Sequence, residues 1–161
     1  PFDDETINNL VKRKNKIHGE LTKRVKLFDG AIELLDSLHN TMKIALATMG
    51  NREIIEKQLK EKSIKDYFNY VVTADEVKHP KPDPEIFLKC AKMLNCPPEK
   101  CVVVEDSIFG VIASKKAHMK CIAITSGSYT EEELMKEHPD LIVNSLREKE
   151  TILNFIKASS K

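Results

Sequence analysis

Five short apolar runs, each separated from the next by a helical pattern, constrain this chain more than any other feature. They are MKIALAT (42–48), YVVTA (70–74), CVVVE (101–105), KCIAIT (120–125) and LIVN (141–144). None alternates apolar with polar residues, so neither face of these strands is meant for water. Strands buried on both faces and spaced by helices belong to a parallel sheet with helices on both sides. The expected fold class is therefore α/β, a Rossmann-like parallel sheet covered by helices.

The helical segments carry their own start signals. DGAIELLDSLHN reads as a helix from near Gly30 to Asn40, and Asn51 caps REIIEKQLKEK. Asp83 followed by Pro84 opens EIFLKCAKMLN. Further helices are expected from Ser107 to Ala117, over EEELMKEH and over EKETILNFIK. Residues 4–26 read as a strongly basic helix with Ile7, Leu10, Val11, Ile17, Leu21 and Val25 as a broken apolar stripe.

Composition narrows the function classes. A chain of 161 residues with 41% hydrophobic and 32% charged residues is one globular domain with a real core. The formal net charge of +1 supplies no global field that selects nucleic acid or an acidic membrane. No apolar stretch reaches the length of a bilayer span. Cys90, Cys96, Cys101 and Cys121 lack the C-x-x-C spacing, which suggests reduced thiols and a cytoplasmic setting. His18, His39, His79, His118 and His138 share no spacing that would hold zinc.

In sheets of this kind ligands bind beyond the carboxyl ends of the strands. Thr48 closes the first strand, Glu105 and Asp106 close the third, and Lys81 lies in the loop leading out of the second. Taken singly, the threonine reads as a turn former, the lysine as solvated and the acidic pair as a helix cap. Together on one edge they form a phosphate-and-metal constellation.

The segments LATMGN, HPKPDPEIFLKCAKMLN and VVVEDSIFGVIASKKAHM resemble the second, third and fourth motifs of the haloacid dehalogenase-like hydrolases. The similarity runs from about Leu27 to Asp140 and points to the β-phosphoglucomutase-like and phosphoglycolate-phosphatase-like group. It implies an enzyme in which an aspartate attacks phosphorus and water then hydrolyses the aspartyl-phosphate. Thr48 would donate its hydroxyl to a phosphate oxygen, and Met49 or Gly50 a backbone N–H, near a helix N-terminus. Lys81 would neutralise charge gathering in the transition state. Asp106 would hold Mg²⁺, with Glu105 ligating directly or through water.

The resemblance has departures. Met49–Gly50 stands where the family often has serine or asparagine, and His118 stands where a glycine usually ends the helix. The first motif, an apolar strand followed by D-x-D-x-T, has no counterpart, because Asp3 and Asp4 in PFDDETINN are spaced otherwise and follow no strand. The expected domain layout is a remnant of a helical cap over 1–26 and the hydrolase core over 27–161. The central nucleophile strand is expected to be missing from between MKIALAT and CVVVED, and a gap is expected there rather than direct pairing of the two strands.

The function implied is a Mg²⁺-dependent phosphomonoester hydrolase acting on a small phosphorylated metabolite, with the chain as given inactive by itself. A phosphosugar mutase of the same family, or a non-catalytic phosphate- or partner-binding module, remain the alternatives. A response-regulator receiver also groups acids, threonine and lysine around Mg²⁺, but its acids come first in the chain, whereas here the order is threonine, lysine, acids. No nucleic-acid or membrane partner is expected. A monomer is expected for the complete protein, and the state of this chain is left open.

Overall fold

The computed structural model describes residues 3–22 and 25–159; the side chains of residues 15 and 18–22 also lie outside the described set. The expectations for the side chains of Leu21 and His18 fall there. The helices are α1 (Asp4–Thr22), α2 (Ala31–His39), α3 (Arg52–Glu61), α4 (Glu85–Leu94), α5 (Ile108–Lys116), α6 (Glu131–Met135) and α7 (Lys149–Ser159). The strands are β1 (Ala45–Ala47), β2 (Tyr70–Val72), β3 (Val102–Glu105), β4 (Lys120–Ile124) and β5 (Leu141–Val143). Three short 3₁₀ turns, at Lys65–Tyr67, Ala74–Glu76 and Pro98–Lys100, interrupt connections that read as plain loops.

The helix expected over 4–26 ends earlier, at Thr22, and residues 25–28 are not helical. Its apolar stripe explains this. Ile7, Leu10, Val11 and Ile17 are all about half exposed, so no packing prolongs the helix beyond its intrinsic propensity.

All strand pairs are parallel. β1 pairs with β2 (Ala45 opposite Tyr70), and β4 lies between β3 (Val102 opposite Lys120) and β5 (Ile122 opposite Leu141). These form two sheets, β1–β2 and β3–β4–β5, with no ladder between β1 and β3 among the described residues. Apolar packing, not backbone hydrogen bonding, holds the two together. On one face, Ile86, Phe87, Cys90 and Ala91 of α4 and Ala113 of α5 cover Val72 of β2 and Val103 of β3, with Ala45 and Ala47 of β1 against them.

The opposite face is covered by Leu34 and Leu38 of α2 and by Ile152 and Ile156 of α7, packed on Ile122 and Ile124. The intervening Cys121 and Ala123 pack with Val111 and Leu134 on the other side. That double burial is why KCIAIT shows no alternation: both residue sets of β4 meet helices.

Local chemistry sets the helix ends. Asn51 Oδ1 accepts the N–H of Glu53 at 3.1 Å, and Asp83 Oδ1 accepts that of Glu85 at 2.9 Å. Thr130 and Glu133 cap α6 reciprocally. His118 takes φ 58° just past α5, while Met119 N–H reaches back to Ser114 at 3.0 Å. A histidine thus does the work of the glycine common at that position.

Candidate active site

The carboxyl ends of β1 and β3 open on one cavity of about 540 Å³. Its walls are Ala47 and Val104 from the two facing strands, with Phe28, Phe109, Ile124 and Leu146 as an apolar surround. Its polar lining is Thr48, Lys81, Glu105, Asp106 and Ser107, with Met49 at the rim. Of the residues singled out in the sequence, Thr48, Met49, Lys81, Glu105 and Asp106 therefore share one space. Gly50 does not line it.

The β1 side is arranged as follows. Gly50 N–H donates to Thr48 Oγ1 at 3.1 Å, which removes that N–H from any ligand and leaves the Thr48 hydroxyl proton free to point elsewhere. The start of α3 is also engaged: Arg52 N–H donates to Asp75 Oδ2 at 2.7 Å, and Glu53 N–H is taken by the Asn51 cap. An anion here would meet the Thr48 hydroxyl and the Met49 backbone rather than the helix N-terminus.

Lys81 comes from the loop ahead of α4, where the Lys81–Pro82 peptide is cis. Its ammonium lies 4.8 Å from the centroid of the Phe87 ring and donates to Glu105 Oε1. The two side chains are only 11% and 10% exposed, so this is a nearly buried pair.

The acidic pair divides. Both oxygens of Glu105 are engaged, Oε1 by Lys81 and Oε2 by the Ser107 hydroxyl at 3.0 Å. Ser107 Oγ in turn accepts the N–H of Gly110 at 3.1 Å, so one hydroxyl caps α5 and fixes the glutamate. Metal ligation by Glu105 would use the lone pairs that these two hydrogen bonds leave over. Asp106 faces the cavity, and no hydrogen bond to its carboxylate occurs among the described residues. Behind it lies Gly127, in the loop after β4. A Cβ built on Gly127 would stand 2.5 Å from Asp106 Oδ2 and 2.6 Å from its Cβ, so only glycine fits.

Among the described residues no cluster of three or more His, Cys, Asp or Glu side chains is placed to hold a metal ion. A single free carboxylate suits Mg²⁺, which keeps several waters and takes one or two carboxylates plus substrate phosphate, better than a cation that needs a full protein cage. No cysteine lines the cavity, and burial disfavours the thiolate of three of them. Burial pushes Cys90 and Cys121 up to about 11. Burial, reinforced by a hydrogen bond with Cys96, pushes Cys101 to about 12.

Phe87, Ser107 and Gly127 were not singled out as site residues from sequence. Ser107 was legible as a helix start, and its second bond follows from sitting two residues after Glu105. Gly127 follows a different strand, and nothing local marks it.

A family model for haloacid dehalogenase-like hydrolases matches residues 1–124. The chain is 35% identical over 156 residues to a phosphorylated carbohydrates phosphatase from Thermotoga maritima, covering 89% of this chain and 71% of that protein. It is 37% identical over 93 residues to a fructose-1-phosphate phosphatase from Escherichia coli, covering 58% of this chain and 50% of that one. A β-phosphoglucomutase crystal structure from Clostridium difficile superposes with a TM-score of 0.82 at 28% identity, over 99% of this chain and 69% of the mutase. Several curated relatives are matched over less than two thirds of their own length. With two parallel sheets, helices on both faces and the polar residues gathered at strand ends, the chain belongs to the haloacid dehalogenase-like hydrolases.

Proposed function

We propose that this chain supplies the phosphate-binding and metal-binding half of a Mg²⁺-dependent phosphomonoesterase acting on a small phosphorylated metabolite. The observation that carries the reading is the convergence of Thr48, Lys81 and Asp106, from three separate stretches of chain, on one cavity between the two sheets. The relatives that hydrolyse phosphorylated sugars support the substrate class.

Charge explains why a metal belongs there. One ammonium against two carboxylates leaves the cavity lining with a formal charge of −1, which repels a phosphate dianion. Asp106 would hold a divalent cation, which would reverse that sign and supply Lewis-acid polarisation of a phosphoryl oxygen. Thr48 donates its hydroxyl to a phosphate oxygen, and Lys81 offsets negative charge gathering during transfer. Phe28, Phe109, Ile124 and Leu146 give the substrate an apolar surround.

The attacking group is a separate matter. Glu105 is held by Lys81 and Ser107, and Asp106 is the metal's carboxylate, so neither is free to form an acyl-phosphate. The family resemblance implies an attacking aspartate on a strand between β1 and β3, where each has an edge without a ladder partner among the described residues.

Titration calorimetry with inorganic phosphate tests the reading. Phosphate binds weakly with Mg²⁺ present and not in its absence, and Lys81→Ala or Asp106→Asn removes the heat. The same 161-residue chain leaves p-nitrophenyl phosphate unhydrolysed. Phosphate binding that ignores both Mg²⁺ and Asp106 would overturn the metal assignment, and robust turnover would return attention to Asp3 and Asp4.

A further inference from the structure

Lys81 is the cation on which phosphate binding depends, yet its own loop does not fix its ammonium. Glu105 fixes it, and the Glu105 side chain lies flat across the first turn of α5. A Cβ built on Gly110 would stand 2.6 Å from Glu105 Cγ and closer still to Cδ and Oε2. Ordinary contacts between such atoms are about 3.5–4.0 Å. Only a hydrogen at that point of the helix leaves room for the carboxylate. The same turn then orients it: Gly110 N–H donates to Ser107 Oγ, and the Ser107 hydroxyl donates to Glu105 Oε2, which turns Oε1 toward Lys81.

We propose that Gly110 is a positioning residue for Lys81, acting through Glu105. A side chain at 110 lifts the glutamate off α5 and sends it toward the cavity. There it releases the ammonium and leaves its own negative charge unneutralised where phosphate is to bind. The consequence for phosphate rests on the function proposed above. The mechanical coupling from Gly110 through Glu105 to Lys81 does not.

The coupling is read from the reactivity of the Lys81 amine. The 161-residue chain is acylated with an N-hydroxysuccinimide ester, and modification at Lys81 is quantified by mass spectrometry against exposed Lys157 as internal reference. In the unsubstituted chain Lys81 reacts slowly, being nearly buried and paired. Gly110→Ala raises its rate several-fold, to the level of Glu105→Gln. Because alanine at this buried turn also strains packing, Glu105→Ala/Gly110→Ala is compared with Glu105→Ala alone in urea denaturation. With the glutamate shortened the clash is gone, so adding Gly110→Ala costs no further midpoint shift.

The proposal is overturned if folded Gly110→Ala keeps Lys81 as protected as the unsubstituted chain. It is also overturned if Gly110→Ala destabilises equally with and without the Glu105 side chain, since the glycine would then serve the helix backbone alone. A chain that binds no phosphate in any variant removes the functional reading while the acylation rates still decide the role of Gly110.

Discussion

Adjacent residues of β3 meet opposite surroundings. Val103 is 8% exposed under α4 and α5, whereas Val104 is 39% exposed on the cavity between the sheets. The contrast extends outward. On one side lies β4, paired on both edges and packed on both faces, with Cys121, Ile122 and Ala123 wholly buried. On the other lies β1, three residues long and half-buried throughout, with no partner on the edge toward β3 among the described residues. Similar apolar residues thus build a closed sheet and an open seam. The polar residues of the candidate site all stand at the mouth of that seam, where the closed sheet meets the open edge.

The largest expected effect tests that division directly. Ile122→Ala, in the closed sheet, is expected to lower unfolding free energy by about 4 kcal/mol through lost transfer energy and an unfilled cavity. Val104→Ala, at the seam, removes atoms that already meet open space and is expected to cost less than about 1 kcal/mol. Urea denaturation of both variants measures the contrast. Losses of equal size would mean that the seam is packed in solution and that the two halves are one core.

Much of the closed half was legible from sequence, because periodicity reports burial. KCIAIT lacks alternation since both of its faces meet helices, and Ser107, Asn51 and Asp83 announced their caps. Thr48, Lys81 and Asp106 could be placed on one edge because parallel strands present their carboxyl ends together. What sequence did not reveal is how each polar group is oriented. That Glu105 lies against α5 beside Lys81 while its neighbour Asp106 lies against the loop after β4 depends on Gly110 and Gly127, which come from different elements. The engagement of Gly50 by Thr48 is likewise a matter of one torsion in a short loop. Orientation is set by contacts between elements, and such contacts leave no periodic trace.

The second prediction sharpens the comparison at Asp106, the point where closed sheet and open seam meet. Gly127 belongs to the loop leaving β4, and its backbone stands directly behind the carboxylate. Gly127→Ala introduces a methyl group 2.5 Å from Asp106 Oδ2 and must displace the carboxylate, since the contact also involves its Cβ. Loss of support behind a metal ligand weakens binding about tenfold at the lower end. Titration calorimetry with Mg²⁺ measures this, and circular dichroism checks that the fold persists. Mg²⁺ affinity unchanged in a folded Gly127→Ala variant would place the cation elsewhere than on Asp106.

The smallest expected effect lies at the opposite end of the closed sheet, where charge serves structure alone. Asp140 precedes β5; its carboxylate accepts the N–H of Cys121 at 2.9 Å and pairs with Lys120 at 2.9 Å and Lys115 at 3.4 Å. Burial opposes its ionisation, but the hydrogen bonds from Lys120 and Cys121 and the two ammonium charges outweigh it and hold the carboxyl below the ordinary value of 3.8. A carboxyl more acidic in the folded chain than in the unfolded one stabilises fully above the unfolded value, and that contribution is lost as pH falls through the folded one. Asp140→Asn is therefore expected to cost about 1 kcal/mol at neutral pH, the scale of a partly exposed ion pair. The difference from the unsubstituted chain should shrink as pH falls below about 3.8. Urea midpoints at neutral and acid pH make the comparison. A difference that stays constant into acid would show that the ionised charge of Asp140 is not what stabilises this end of the closed sheet.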